Sequence, residues 1–406
     1  MNTKAIGATL LISGTMLGAG MLALPLISAG MGIGYSTLLL VVVWLGMTYT
    51  GLMMMEVCLN YPEGTGFDAI AQDLYGKRGK WIVNGSLLLL LYALSCAYIS
   101  GGSSAYTAII NHHLHTHISQ TAVAIGFTFI IGLIVFISTR LVDNVNRVLF
   151  SANIVVFVLL VFTVRPFIHG NFLIAKSDSL KYAFSALPVF ITAFGFHGSI
   201  PSMVKYLGRD KPKTLRNVFI VGGLIPIVVY LVWEVSTLGV LPRFGTHSFA
   251  YVTANGSSVG TMINQIHDYV NSKALIDFIG TFTAVAMFTS YLCVSLGLFD
   301  NVASTMKQAD TTKGRLITAL LSYVPPLIFT LIFPNGFVGA LGAAAIFLTI
   351  LAILFPVMSL SKIRKRKHQE NYNLISAKWL SVLVGCSGIL VIVCQILTLN
   401  HAVPIF

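Results

Sequence analysis

Eleven long apolar runs dominate this sequence and determine the environment in which it can fold. Each is about as long as a helix must be to cross a hydrocarbon layer, roughly 20 residues. Only 9% of the residues are charged, against about 25% in a soluble domain. We therefore predict an all-α polytopic membrane protein with eleven transmembrane helices, at about residues 5–29, 34–59, 81–110, 120–139, 147–164, 182–206, 215–238, 274–304, 316–333, 337–360 and 377–399.

Lysine and arginine are distributed unevenly between the two sides of these spans. If the N-terminus is cytoplasmic, 20 of the 25 basic residues lie on the cytoplasmic side. The other five are Arg165, Lys176, Lys181, Arg243 and Lys273. The positive-inside rule then predicts a cytoplasmic N-terminus and, because the span count is odd, a C-terminus on the outer side. The net charge of +12 thus reflects membrane topology and does not predict nucleic-acid binding.

The sequence carries no pattern typical of catalysis or of a structural metal. It contains no His-Glu-x-x-His, no Gly-x-Ser-x-Gly and no paired acids in mid-membrane, so we predict neither an enzyme nor a cofactor. Four histidines cluster within residues 111–117 without an adjacent acid or cysteine, and we predict no metal site there. The five cysteines all lie in apolar spans, where we expect buried, unpaired thiols.

The first and sixth spans are each interrupted near the middle. Residues 13–20 hold three glycines, and glycine weakens a helix because it loses the most backbone freedom on ordering. Residues 193–201 form the second interruption. Backbone broken at membrane depth must be buried in protein or line a cavity, and two such breaks in corresponding places indicate a transporter's substrate site. The predicted contact residues at the breaks are Gly14, Thr15, Gly18, Ala19, Gly20, Phe194, Gly195 and Phe196.

The position of the two breaks predicts an internal repeat. Spans one to five and six to ten each begin with a broken helix, and a second copy of five spans must start on the opposite side of the membrane. This arrangement is an inverted repeat, not a pair of parallel six-span halves. We place the first repeat at residues 1–165, the second at 166–367, and an appended eleventh helix with a short tail at 368–406.

The chemistry of a broken helix suggests the ligand. The N-terminus of a half-helix presents free N–H groups that suit a carboxylate, and its C-terminus presents carbonyls that suit an ammonium group. The side chains near the breaks are neutral, so a zwitterionic amino acid would be recognised by backbone. Aromatic residues in spans three, six and eight favour a large or aromatic substrate.

Spans three and eight could supply further contacts. Tyr92, Ser95 and Tyr98 follow one another at three-residue spacing and are predicted to share a helix face. That face either bonds neighbouring helices or forms a substrate-facing wall, with Tyr92 and Tyr98 as contacts. Thr289 is a further predicted contact, and with Ser290 it could offer oxygens near the first break, which leaves sodium coupling open.

Few ionisable residues could carry a coupling proton. His197 alone lies near mid-membrane, inside the second break, and histidine changes charge near neutral pH. The alternative is a neutral histidine that bonds span carbonyls and holds the unwound turn together. Glu56 and Asp300, at the cytoplasmic ends of their spans, are the next candidates.

Four stretches together resemble the hydroxy/aromatic amino acid permeases of the amino acid–polyamine–organocation superfamily. They are residues 14–25, 92–101, 194–201 and 296–300, and the resemblance extends over essentially the whole chain. Within the family the chain is most similar to the bacterial tyrosine-specific branch, with the tryptophan branch next. One position departs from the pattern, because proton-coupled relatives often carry a lysine in span five where this chain has Asn153. Asn153 is therefore a fourth residue to be tested in proton coupling.

The resemblance implies a function. It implies import of an aromatic amino acid, most readily tyrosine, by proton symport across a bacterial inner membrane, with a periplasmic C-terminus. The partners would be the amino acid, a proton and the lipid bilayer. The alternatives are a tryptophan or phenylalanine permease of the same fold, or a sodium-coupled or uncoupled carrier. The sequence leaves the oligomeric state open.

Overall fold

The computed structural model describes residues 3–18, 20–174, 180–270, 272–366 and 378–406, and in these it contains helices and no strand. This confirms the predicted all-α polytopic membrane protein. The helices are α1 (Thr3–Met16), α2 (Gly20–Ser28), α3 (Gly32–Leu59), α4 (Phe67–Leu114), α5 (Gln120–Ile137), α6 (Thr139–Val164), α7 (Gly170–Ile174), α8 (Tyr182–Ala193), α9 (Ile200–Leu207), α10 (Pro212–Leu238), α11 (Phe249–Ala254), α12 (Val259–Val270), α13 (Lys273–Thr305), α14 (Thr312–Ile332), α15 (Phe337–Thr349), α16 (Phe355–Arg366) and α17 (Lys378–Leu399).

The described residues provide the predicted number of spans. Ten segments are long and apolar enough to cross a membrane, and α1 with α2 make an eleventh, bent by 49° at the first break. The sixth span consists of α8 and α9, joined by the second break and a short 3-10 turn at His197–Ser199. Both breaks predicted from the sequence are therefore present as interruptions of helix.

Two spans differ in detail from the prediction. The third span, predicted at residues 81–110, begins earlier as α4 at Phe67, and the backbone changes direction at Gly76, whose φ of 69° is in the left-handed region that favours glycine. The tenth span is not one regular helix, because a π-helical turn at Ile350–Leu354 separates α15 from α16. Pro356 follows that turn and cannot donate a backbone hydrogen bond, which favours a local change of helix type.

The contacts between spans come in matching pairs, while the inverted repeat itself stays a prediction. The third span, α4, packs on α15 of the tenth, and its counterpart α13, the eighth span, packs on α6 of the fifth. The second and seventh spans (α3 and α10) pack on each other, as do the fourth and ninth (α5 and α14). Each contact thus has a counterpart under exchange of the two halves. The boundaries at residues 165 and 367 stay predictions, and residue 367 lies outside the described chain.

One face of the bundle, which we call the basic face, is held together by ion pairs between span ends. Arg364 of α16 donates two hydrogen bonds to the same oxygen of Glu56 on α3, at 2.7 and 3.1 Å. Arg366 pairs with Asp73 at 3.0 Å, and Asp73 also accepts a hydrogen bond from Tyr61. Burial and the neighbouring Asp73 raise the pKa of Tyr61, so its hydroxyl remains a donor. These contacts tie α3, α4 and α16 together on this face.

The opposite face is covered by the segment between α10 and α13. Its helix α12 packs against α4 and α2, and the Gly260 N–H donates to the Ser104 hydroxyl at 2.8 Å. A Cβ at Gly260 would overlap the Ser104 carbonyl, so the close approach requires glycine. Beside α12 lies a polar cavity of about 630 Å³, lined among others by Asn111, His112 and Asn264.

The cysteine prediction is partly wrong. Cys58, Cys96 and Cys394 are buried, but Cys293 and Cys386 are exposed. An apolar span has buried and exposed sides, so an apolar neighbourhood in sequence does not by itself bury a thiol.

Candidate functional site

The first break lies between the end of α1 and the start of α2, and its glycines permit two close approaches. A Cβ at Gly18 would lie 2.5 Å from the Ser290 hydroxyl oxygen of α13. A Cβ at Gly20 would lie 3.4 Å from the backbone Cα of Ala193, at the second break. The backbone of the first break is therefore packed against α13 on one side and against α8 on the other.

The other predicted contacts at the first break are placed less centrally. Gly14 faces the ring of Phe150 on α6, which a Cβ there would approach to 3.4 Å. Thr15 is exposed, and its hydroxyl donates to the carbonyl of Ile12 in its own helix. Ala19 lies outside the described residues.

The second break consists of Phe194, Gly195 and Phe196. A Cβ at Gly195 would lie 3.0 Å from Leu348 of α15, so the tenth span restricts this position to a small residue. Phe194 meets the ring of Tyr230 edge-on at 5.2 Å. Phe196 stacks with Phe219 of α10 at 6.0 Å between ring centroids. Both phenylalanines are buried, and these contacts fix the unwound backbone against α10.

Tyr230 on α10 joins the two breaks. Its hydroxyl lies 2.7 Å from the carbonyl oxygen of Met16, the last residue of α1, and 2.7 Å from that of Ala193, the last residue of α8. One hydroxyl hydrogen is thus shared by the two carbonyls at which the broken helices end. Sequence reasoning missed Tyr230; the only signal was a lone tyrosine in the middle of an apolar span.

Each break also offers a backbone donor. In the part of the chain that the structure describes, the N–H groups of Gly18 and Phe196 donate no hydrogen bond to backbone or side chain. A buried N–H without a partner is rare and costs about 1–3 kcal/mol when it stays unsatisfied. An anionic ligand group between the breaks would satisfy such donors, and the carbonyl ends at Met16 and Ala193 would suit a cation.

Tyr98 is the predicted side chain best placed to face a ligand. It lies within electrostatic reach of Tyr230 on α10 and of Cys293 on α13. Its hydroxyl makes no hydrogen bond to the described residues. A buried tyrosine normally uses its hydroxyl, so that of Tyr98 is available to a ligand.

Tyr92 and Thr289 are bonded within the protein. Tyr92 donates to the carbonyl of Leu321 on α14 at 2.7 Å, so its hydroxyl bridges two helices. Thr289 donates to Val285 and Ala286 of its own helix, and only its neighbour Ser290 lies at the first break. The prediction that Tyr92 and Tyr98 share a face is wrong, since two three-residue steps turn a helix about 120° away from its starting direction.

His197 is fixed against α3. Its Nε2 lies 2.9 Å from the Thr50 hydroxyl, which itself donates to the carbonyl of Met47. When the Thr50 hydrogen is donated to Met47, Nε2 carries the hydrogen of that contact. His197 is 1% exposed, and its Nδ1 has no partner among the described residues. A charged imidazole would bury an unpaired N–H, so this geometry supports the structural alternative.

The other three candidates for proton transfer have different surroundings. Glu56 is 3% exposed and paired with Arg364 at the basic face. Asp300 is exposed near the basic end of α13, within electrostatic reach of Arg315. Asn153 on α6 has a buried side-chain oxygen without a partner among the described residues. It follows Phe150 by three residues and so lies on the side of α6 that meets Gly14.

Two of the four clustered histidines, for which we predicted no metal site, lie close to other His or Asp side chains. The rings of His112 and His267 lie 4.4 Å apart, and His113 approaches Asp277 at 3.5 Å. Within the described ranges, no group of three or more His, Cys, Asp or Glu side chains is placed to hold a metal ion.

Comparison with known proteins identifies the family. The tryptophan/tyrosine permease family matches residues 1–395. This chain is a member of that family. The resemblance seen in the sequence is thereby confirmed, and the homologues are named as transport proteins.

Its relatives cover almost its whole length. A tryptophan-specific transport protein of Pseudomonas aeruginosa is 35% identical over 98% of this chain and 96% of its own length. The tyrosine-specific transport system 1 of Haemophilus influenzae is 34% identical over 96% and 95%. A low affinity tryptophan permease of Escherichia coli is 30% identical over 99% and 98%. Similarity therefore identifies an aromatic amino acid permease, but it does not decide between tryptophan and tyrosine as the substrate.

Proposed function

We propose that this permease imports an aromatic amino acid, tyrosine in the first instance, by proton symport across a bacterial inner membrane. The observation that carries the proposal is the meeting of the two breaks at Tyr230. One place then offers free N–H groups for a carboxylate and carbonyl oxygens for an ammonium group. The N-terminus is cytoplasmic, so the basic face is the cytoplasmic one.

The surroundings of the breaks favour an aromatic side chain. Phe194 packs edge-on against Tyr230, Tyr98 lies within electrostatic reach of Tyr230, and aromatic rings pack well on one another. The free hydroxyl of Tyr98 gives a hydrogen-bonding site for a phenol or an indole N–H. We choose tyrosine because its phenol both donates and accepts, and a site built to bond a hydroxyl strongly rejects the analogue that lacks it.

The test is uptake by the purified protein in proteoliposomes. Labelled tyrosine, tryptophan, phenylalanine and leucine are offered separately, with a proton or a sodium gradient imposed in turn. We expect tyrosine to accumulate under the proton gradient, and a protonophore to abolish the accumulation. Preferred accumulation of tryptophan would show that tryptophan, not tyrosine, is the substrate. Accumulation under a sodium gradient alone would show that sodium is the coupling ion. Equilibration without accumulation would show that the protein is a facilitator.

His197→Gln should leave proton-driven accumulation within about twofold of the wild-type level, because a histidine that only holds the unwound turn against α3 carries no proton. Glutamine can still donate a hydrogen bond to Thr50, the contact that His197 makes. The measurement is accumulation of labelled tyrosine under an imposed proton gradient. Loss of accumulation with exchange retained would instead make His197 the proton carrier.

Replacing Asn153 with alanine tests the position at which relatives often carry lysine. The Asn153 side-chain oxygen has no partner among the described residues, so its removal breaks no hydrogen bond there. We expect accumulation against a gradient to persist, because an amide does not exchange a proton near neutral pH. Accumulation lost while exchange continues would show that this position remains central to coupling.

A further inference from the structure

Glu234 on α10 is a fully buried acid that lies outside the two breaks. It is 0% exposed. Both of its carboxyl oxygens lie 2.6 Å from the hydroxyl of Ser36 on α3. Ser28, the last residue of α2, lies beside the same carboxyl but makes no hydrogen bond of ordinary geometry. The carboxyl therefore sits where the second half of the first span meets the second and seventh spans.

The surroundings of Glu234 favour a carboxyl that holds a proton. Within the described residues, hydroxyl groups and no charged side chain interact with it. An ionised carboxylate buried without a cation is strongly unfavourable, and a neutral acid avoids that cost. Glu56 provides the contrast, because that buried acid is paired with Arg364.

The ionisable side chains on neighbouring elements lie around this site and not in it. Helix α2 carries none. Tyr35 on α3 and His169 before α7 are exposed. Arg243, in the segment after α10, lines a small cavity with Gly32 and Leu238. Tyr230 lies one helical turn before Glu234 on α10.

That small cavity lies about one helical turn from Glu234, which does not itself line it. Its lining includes Leu238, one turn after Glu234, Gly32, one turn before Ser36, and Ala29, which follows Ser28. Its volume of about 10 Å³ is roughly the room needed for one water molecule. A water in this cavity would lie about one helical turn from the carboxyl.

Helix α10 connects the carboxyl to the substrate site. Tyr230 and Glu234 are four residues apart, so they lie on the same side of the helix, about 6 Å apart along its axis. Tyr230 holds the carbonyl ends of both half-helices. Any movement of α10 against α2 and α3 at Glu234 is therefore transmitted directly to both breaks.

We propose that Glu234 binds the transported proton and that α10, through Tyr230, makes the geometry of the two breaks depend on whether that proton is bound. This inference rests on the proposed proton symport. The proton adds to the carboxylate from the opposite face and leaves toward the basic face after the substrate. With the proton bound, α2, α3 and α10 pack around a neutral acid; without it, the buried charge opens that packing.

The first test is Glu234→Gln in proteoliposomes, with Asp310→Asn as the matched control. Asp310 is an exposed acid at the basic face. We expect Glu234→Gln to keep substrate exchange but to lose proton-driven accumulation by about tenfold or more, the size of a typical coupling between two sites. Its exchange rate should no longer vary with pH, whereas Asp310→Asn should behave as wild type. Accumulation at the wild-type level in Glu234→Gln overturns the proposal.

Two further measurements decide the outcome if Glu234→Gln folds poorly. Infrared spectroscopy of the wild type should show a protonated carboxyl whose band changes on substrate binding. Ser36→Ala should keep the accumulation and shift the pH at which exchange is half-maximal, because it removes the hydroxyl bonded to the carboxyl. Absence of a protonated band at every pH, or an unchanged pH profile in Ser36→Ala, contradicts the role of Glu234. Failure of the wild type itself to use a proton gradient contradicts the proposed symport, while the infrared result still shows whether Glu234 holds a proton.

Discussion

Replacing Gly18 with valine should abolish substrate binding while the protein still folds and inserts. The first carbon of the new side chain would lie 2.5 Å from the Ser290 oxygen, so the Ser290 hydroxyl must turn away or the first break and α13 must separate. Overpacking of this kind costs about 1–3 kcal/mol, and a backbone displaced from its donor geometry loses the carboxylate contact as well. We expect affinity to fall by about 100-fold or more, as roughly 3 kcal/mol implies.

The control for this substitution lies in the same span, in α1. A Cβ at Gly7 of α1 would meet nothing within 4 Å, so Gly7→Val adds the same side chain without a collision. Titration of labelled amino acid onto purified protein measures both variants. Normal affinity in a folded Gly18→Val protein would show that the first break does not bind the substrate.

Replacing Tyr230 with phenylalanine should have the second large effect. The change removes one oxygen and leaves the Met16 and Ala193 carbonyls without that donor. Each buried acceptor left unsatisfied costs about 1–3 kcal/mol. The two half-helices are then no longer held at a common point, so we expect transport to fall by about 10- to 100-fold, with weaker substrate binding.

Tyr106→Phe provides the comparison for Tyr230→Phe. Tyr106 donates to the carbonyl of Ala284 on α13 at 2.7 Å, so its loss removes a similar bond elsewhere between spans. Thermal stability should fall in both variants, but only Tyr230→Phe should lose transport out of proportion to its stability. Equal losses in the two variants would mean that Tyr230 acts as an ordinary helix tether.

The sequence predicted the breaks because they leave local signals. Glycines such as Gly18 and Gly20 weaken the helix in a long apolar run. Backbone that is unwound at membrane depth must be buried in protein or line a cavity, so these glycines indicate a break. The span count followed from the length of the apolar runs, and ion pairs such as Arg364 with Glu56 agree with their placement at the same face.

Which side chains of a span face the breaks could not be predicted so well, because that depends on the rotation of the helix about its axis. Whether Tyr92 or Tyr98 faces the breaks depends on how α4 is turned, and a span that is apolar nearly all round gives little periodic signal for that rotation. Tyr92 in fact bonds α14. Tyr230 and Glu234 were not predicted, because each is bonded to a residue about 200 positions away in the chain.

The sequence also does not show which ionisable groups are buried. His197 was the natural candidate to carry the proton because it lies deep in the membrane. In the structure, however, its hydrogen bond to Thr50 holds it against α3. Glu234 lies near the end of a span in the sequence and looks like a surface acid. Only the packing of α2 and α3 over it makes it buried. Burial of a span end is a tertiary property, which hydropathy along the chain does not report.

The most direct test of the account is the binding of substrate analogues to the wild-type protein. Tyrosine is compared with tyramine, which lacks the carboxylate, and with 3-(4-hydroxyphenyl)propionate, which lacks the ammonium group; tryptophan and its two analogues form a second set. If the breaks recognise both charged groups through backbone, each analogue should bind about 10- to 150-fold more weakly than its parent amino acid, as expected for lost hydrogen bonds to a charged group. Tyramine or the propionate binding as tightly as tyrosine, with the tryptophan set behaving alike, would contradict recognition by the two broken helices.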